Sequence, residues 1–247
     1  MQILVIGDSC VDSYVYGECK RLCPEAPVPV FIPMYQKDNK GMAGNVHQNI
    51  LSLGFNCLIK SNNNAVTKVR YVEEDTNHIL LRVDSGEEDV KRIDKLEKSF
   101  LKKFNAIIIS DYNKGFLQEE DIKYICENHD LVFIDTKKII SDFCKEAKFI
   151  KINQVEYENS FLNFNNPCLE WAKEKLIITR GRKGCEFKNK IYPVSPVEIR
   201  DYSGAGDTFL SGLVCNYLET KDLDKAIEFA NQCATIVVQQ KGVNTVN

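Results

Sequence analysis

Five short runs of nearly continuous aliphatic residues punctuate the chain, at positions 3–6, 106–110, 131–135, 149–152 and 176–179. A strand with one wet face alternates polar and apolar residues, whereas a strand covered on both faces has no positions to give to water. The runs therefore predict buried strands of a parallel sheet, and the segments of helical period between them predict its covering helices. Val46, Ile50 and Leu53 share one helical face that Gly54 closes, and Ile93, Leu96, Phe100 and Leu101 predict another. The expected class is α/β, with a mostly parallel central sheet flanked by helices.

Two stretches break this rhythm. Residues 11–32 are interrupted by Pro24, Pro27 and Pro29, and residues 65–83 partly alternate polar and apolar side chains. Both predict antiparallel strands outside the main sheet, together a small β lid. Asn62 to Asn64 predict a turn or loop tip. No repeat, low-complexity tract or linker divides the chain, so a single domain over residues 1–247 is expected.

Composition narrows the partners. A net charge of −3 offers no general attraction to nucleic acid or to an anionic membrane. No apolar run reaches the length of a membrane span, and Met1-Gln2 runs straight into the first strand without a basic leader, so a cytoplasmic location is expected. The ten cysteines are scattered singly through apolar runs. Cys19 and Cys23 are the closest pair, yet no second pair or neighbouring histidine completes a zinc set, which points to reduced thiols in a cytoplasmic protein.

From Asp201 the chain reads Asp-Tyr-Ser-Gly-Ala-Gly-Asp-Thr-Phe-Leu-Ser-Gly-Leu, small residues leading into an apolar helical pattern. Gly204, Ala205 and Gly206 then fall at a helix N-terminus, where unpaired amides and the positive end of the dipole suit an anion. Asp207 follows in the first turn, placed to accept a proton from an attacking hydroxyl. Taken alone, the five residues fit equally well a tight turn whose aspartate only stabilises the helix start.

With residues 203–207 in hand, the chain resembles the ribokinase-like, or PfkB, carbohydrate kinases, whose second signature ends in Gly-Ala-Gly-Asp. Within them it is most similar to the kinases of D-glycero-β-D-manno-heptose 7-phosphate. The blocks that carry this are Gly7-Asp8 with Val11 to Tyr14, the run Arg21 to Val30, Ala43 to Val46 with Ser52 to Gly54, Thr67 to Arg70, Ser110 to Gly115, Phe229 to Asn231 and Lys241 to Val243. The resemblance implies an ATP-dependent phosphotransferase acting on the anomeric hydroxyl of the heptose 7-phosphate. In it Asp207 is the base, and Gly204, Ala205 and Gly206 are the anion hole.

It also implies a nucleotide site at Asn153, Glu156, Thr179, Gly181, Gly184 and Asn231, with Glu156 organising Mg²⁺ through water. Asn153 and Glu156 equally fit a capped helix start, and Thr179 to Gly184 a plain turn. On the acceptor side, Asp8 and Asp12 sit just past the first strand and suit sugar hydroxyls. Asn45 opens a helix and suits either a hydroxyl or a cap. Lys68, Arg70, Arg82 and Lys114 are candidates for the 7-phosphate, or else solvated strand faces. The resemblance further brings K⁺ as a candidate cofactor, a homodimer paired through the lid strands, and a separate nucleotidyltransferase elsewhere in the pathway, since no such segment follows here.

Three departures from the family pattern carry expectations of their own. Met42 stands where the family has a second glycine, which predicts a narrowed acceptor pocket. Residues 61–66 join blocks that relatives separate by a further strand and helix, which predicts a shortened sheet edge. Tyr202 replaces a smaller residue before the anion hole. Two rival readings follow: a kinase for another sugar or sugar phosphate, and a catalytically silent ribokinase-fold protein that binds a ligand.

Overall fold

The computed structural model describes residues 1–162 and 170–246. In chain order its elements are β1 (Gln2–Gly7), β2 (Ser9–Glu18), β3 (Ile32–Met42), α1 (Ala43–Ser52), β4 (Asn56–Ser61), β5 (Thr67–Glu73), β6 (Ile79–Ser85) and α2 (Lys98–Leu101). There follow β7 (Ala106–Asp111), α3 (Glu119–Asn128), β8 (Val132–Thr136), β9 (Phe149–Asn153), α4 (Gln154–Tyr157), α5 (Glu170–Lys173) and β10 (Leu176–Thr179). The chain closes with β11 (Cys185–Phe187), β12 (Lys190–Tyr192), α6 (Ala205–Thr220) and α7 (Leu223–Val237).

All five aliphatic runs are strands of one eight-stranded sheet, ordered β12-β11-β10-β9-β8-β7-β1-β4. From β4 to β10 every pairing is parallel, and β11 and β12 add an antiparallel margin. Both faces are covered. Leu4, Ile6, Ile107, Ile109 and Ile134 pack with α3 on one side, and Ile3, Val5, Ile108 and Phe133 pack with α1, α6 and α7 on the other. Each such side chain contributes roughly 1.5–3 kcal/mol by leaving water.

The second sheet has the order β3-β2-β5-β6. It is antiparallel in both outer pairs, β2·β3 and β5·β6, while β2 and β5 run parallel and join the two hairpins. Its first hairpin departs from expectation: residues 19–31 are not strand but a loop closed by the single bridge between Leu22 and Pro29, because proline cannot continue a ladder. The true partner of β2 is β3, which polar exposed side chains had disguised. The expected helix over Ile93, Leu96, Phe100 and Leu101 shrinks to α2. The Ile93 amide donates to the Phe116 carbonyl at 2.8 Å instead of to a helical ladder, though all four side chains still pack against the core.

β4 forms one margin of the large sheet, with Leu58 47% exposed on it, and residues 62–66 lead from that margin into β5 of the second sheet. Nine cysteines are free thiols; Cys168 and the terminal Asn247 lie outside the described residues. Among the described residues no helix is long and apolar enough to cross a membrane.

Candidate active site

Parallel strands bring their carboxyl ends to one side of a sheet, which is where open α/β folds bind ligands. Here β1 delivers Asp8, β7 delivers Tyr112, β8 Asp135, β9 Lys151 and Asn153, and β10 Thr179. The N-terminus of α6 faces them. Gly204 caps that helix with φ of 78°, a conformation that a side chain resists, and a Cβ there would stand 2.6 Å from the Asn45 amide nitrogen.

Asp207 lies in the first turn of α6 and is only 4% exposed. Asn45 Nδ2 donates to its Oδ2 at 2.9 Å and the Tyr112 hydroxyl to its Oδ1 at 2.7 Å. Burial pushes the carboxyl up to about 6, against the opposing pull of those two donors and of Lys151. That places the carboxyl just below neutrality, the range in which proton abstraction works best. Asn45 does not cap α1: Met42 occupies that position, and Asn45 reaches instead to the catalytic candidate 162 residues away. Met42 keeps a glycine-like φ of 57° and is buried against Cys10 and Val66.

Of the three amides expected to hold an anion, that of Ala205 donates to the Tyr202 carbonyl at 3.2 Å. Among the described residues no such bond takes the amides of Gly204 or Gly206, which leaves these two as the candidate donors. Lys151, 3% exposed, stands over Gly206 and is paired with Asp135 at 2.5 Å.

Two lobes of one cleft meet at Thr179, Gly181, Tyr202 and Gly206. The first, about 390 Å³, is walled by Val194, Pro196, Ile199, Phe209 and Val238 and is bordered by Gly184, Ala205 and Asn231. The second, about 660 Å³, is lined by Lys137, Lys151, Arg180, Lys183 and Asn153 and ends on Asp207. An apolar lobe joined to a cationic one fits a nucleotide base and its phosphates. Gly181 has φ of 56° and open space where a side chain would be, so it faces the cleft. Gly184, with φ of 84°, is required by the close Tyr192 carbonyl and serves the β10–β11 turn. Asn231 borders the apolar lobe, with its amide donating to the Tyr192 carbonyl at 2.9 Å.

Asn153 and Glu156 form the capping box of α4: the Glu156 amide donates to Asn153 Oδ1 at 2.9 Å and the Asn153 amide to Glu156 Oε2 at 2.7 Å. Glu156 also pairs with Lys137. Burial works against the charge of Lys137, but Asp135 and Glu156 outweigh it and raise its pKa. The donor set fits Mg²⁺ carried in by phosphates. Asp135 Oδ1 is buried without a hydrogen-bond partner and lines the same cleft, and Mg²⁺ needs only one or two carboxylates beside phosphate and water. No cluster of three or more ligating side chains exists among the described residues to hold a metal alone.

On the acceptor side the structure redistributes roles. The two oxygens of Asp8 accept from the amides of Tyr112 (2.7 Å), Lys114 (3.3 Å) and Phe116 (3.4 Å), so this carboxylate organises the loop after β7 instead of facing a ligand. Asp12 pairs with Arg70 at 2.5 Å. Lys114 and Lys68 converge on Glu87 at 2.5 and 3.3 Å, and Arg82 grips Asp84 through two bonds of 2.7 Å. All four candidate cations therefore already hold carboxylates.

Sequence reasoning missed Tyr112, Asp135, Lys137 and Lys151. A lysine inside the apolar run Phe-Ile-Lys-Ile-Asn was the legible signal for Lys151, because a buried ammonium demands a partner.

A buried carboxyl raised toward neutrality beside a cationic cleft suits a phosphotransferase acting on alcohols. The family model described as pfkB family carbohydrate kinase matches residues 52–247. The chain belongs to that family, whose members are phosphotransferases acting on a sugar hydroxyl and using ATP with Mg²⁺.

Among curated relatives, the bifunctional protein HldE of Helicobacter pylori (strain Shi470) is 29% identical over 298 positions, covering 98% of this chain and 63% of the relative. That of Campylobacter curvus is 30% identical, covering 100% and 63%. The chain thus spans 63% of the length of these relatives. Both alignments run longer than the 247 residues available, so the relatives carry positions with no counterpart here. In fold it is similar to the ribokinase of Thermotoga maritima (TM-score 0.72, 16% identity, 98% and 94% of the two chains) and to that of Arabidopsis thaliana solved with ribose and ATP (0.70, 14%, 98% and 93%).

Proposed function

We propose that the chain transfers the γ-phosphoryl group of ATP to the anomeric hydroxyl of D-glycero-D-manno-heptose 7-phosphate, giving the 1,7-bisphosphate. The supporting observation is Asp207, buried at the strand ends between a cationic cleft on one side and Asn45 on the other. Asp207 accepts the hydroxyl proton as the acceptor oxygen bonds to the γ-phosphorus and the bond to the ADP oxygen breaks. The Gly204 and Gly206 amides with Lys151 meet the charge on the transferred group, and fixed donors of this kind are worth a few kcal/mol each. Glu156 and Asp135 would hold Mg²⁺, which supplies charge neutralisation on the phosphates. Lys68, Arg70, Arg82 and Lys114 are assigned to the distal phosphate of the sugar, whose arrival displaces Glu87 and Asp84. Residues 1–247 act as one kinase unit, cytoplasmic and paired through the lid strands, with K⁺ as a further cofactor and nucleotidyl transfer as a later step.

The pairing of all four cations with carboxylates favours a second reading, an unphosphorylated sugar as acceptor. A panel of sugars and sugar phosphates assayed for ADP formation separates the two. Preference for a heptose 7-phosphate supports the first reading, and preference for an unphosphorylated hexose overturns it.

A further inference from the structure

Tyr112 sits on a loop built under constraint. Its amide and those of Lys114 and Phe116 converge on the buried Asp8 carboxylate, while Asn113 and Gly115 take φ values of 56° and 103° to close the turn. The phenol then crosses the cleft mouth beneath Lys137, whose Nζ lies 5.2 Å from the ring centroid, and donates to Asp207 Oδ1 at 2.7 Å. Asn45 takes the other carboxylate oxygen from the opposite side. One donor per oxygen, each from a different element, leaves the carboxylate a single orientation while its remaining lone pairs stay available to an incoming hydroxyl.

We propose that Tyr112 is a positioning residue for the reaction, its hydroxyl fixing the Asp207 carboxylate toward the acceptor, and that Asp8 serves catalysis by holding Tyr112. This rests on the reading of Asp207 as the base. The groups facing Asp207 are Tyr112 from the loop after β7, Asp135 from β8, Lys151 from β9 and the neutral Asn45 from α1, with Lys137 and Cys10 beyond. Burial and the neighbouring Asp207 both raise the Tyr112 hydroxyl, so it keeps its proton and acts only as a donor. A purely structural tyrosine would contribute its ring, and loss of the hydroxyl would leave Asp207 untouched.

The test is Tyr112→Phe in the full chain, with the ¹³C carboxyl resonance of Asp207, identified by its disappearance in Asp207→Asn, titrated beside the parent. Removing a donor to the charged form should move the midpoint up by about one pH unit, and the acid limb of kcat/KM should move with it while KM for ATP holds. Asp8→Asn should shift it in the same direction. A midpoint and limb that stay in place overturn the proposal. Should Tyr112→Phe not fold, 3-fluorotyrosine at position 112, a stronger donor, should move the midpoint down, and an unmoved midpoint there overturns it equally. Full turnover in Asp207→Asn would instead remove the base assignment, a result distinct from an unmoved titration in Tyr112→Phe.

Discussion

Gly206 and Lys151 stand so close that a Cβ on the glycine would lie 2.9 Å from the lysine ammonium. The ammonium is the far end of a flexible chain and can retreat, but only by loosening its 2.5 Å pairing with Asp135 and leaving the N-terminus of α6. Gly206→Ala should therefore fold, because alanine suits a helix better than glycine. Its kcat should fall by about 10- to 100-fold. Thermal melting and turnover measured on one preparation check both halves of this expectation.

Asp207→Asn should retain ATP binding, read by calorimetry, and lose about 10²- to 10⁴-fold in turnover. Turnover near that of the parent would exclude Asp207 as the base. In the parent, kcat/KM should rise with pH through about 6 and level above it, as the buried carboxyl ionises.

The same group makes a stability prediction of opposite sense. Its folded pKa lies above the ordinary value of 3.8, so between the two the folded chain binds more protons than the unfolded one. Stability from this site is present below pH 4 and declines as pH rises through about 6, by at most roughly 2–3 kcal/mol. Asp207→Asn lacks that decline, so the difference in melting temperature between variant and parent should move in favour of the variant from pH 4 to pH 7.5. A constant difference would contradict it.

Lys114 and Glu87 allow the acceptor side to be tested as a pair. If the cations receive a sugar phosphate, Lys114→Ala should raise KM for it about 10-fold and leave an unphosphorylated sugar unaffected, while Glu87→Gln removes a competing carboxylate and should lower that KM. Equal effects on both acceptors would assign these charges to the lid alone.

How much of this was legible in the sequence divides along chain separation. The strand runs and the segment from Gly204 to Asp207 are local patterns, and both were readable. The partners of Asp207 were not, because Tyr112 and Asn45 lie 95 and 162 residues away and only the packing of α1 and α6 beside the loop after β7 brings them together. Asp8 was legible as a carboxylate at the end of the first strand but its partners were not, since it accepts from backbone amides that no side-chain pattern announces. β3 escaped because its exposed polar residues imitate a loop.

The apolar lobe of the cleft has one more consequence. Val194, Pro196, Ile199, Phe209 and Val238 present hydrocarbon to the lobe, one N–H of the Asn231 amide is taken by the Tyr192 carbonyl, and the Ser195 hydroxyl that also lines it can donate or accept. Such a wall measures thickness and breadth, and discriminates poorly among edges that differ only in the order of their hydrogen-bonding groups. Guanosine and inosine triphosphates should therefore serve as donors within a modest factor of ATP, leaving selectivity to reside almost wholly in the acceptor.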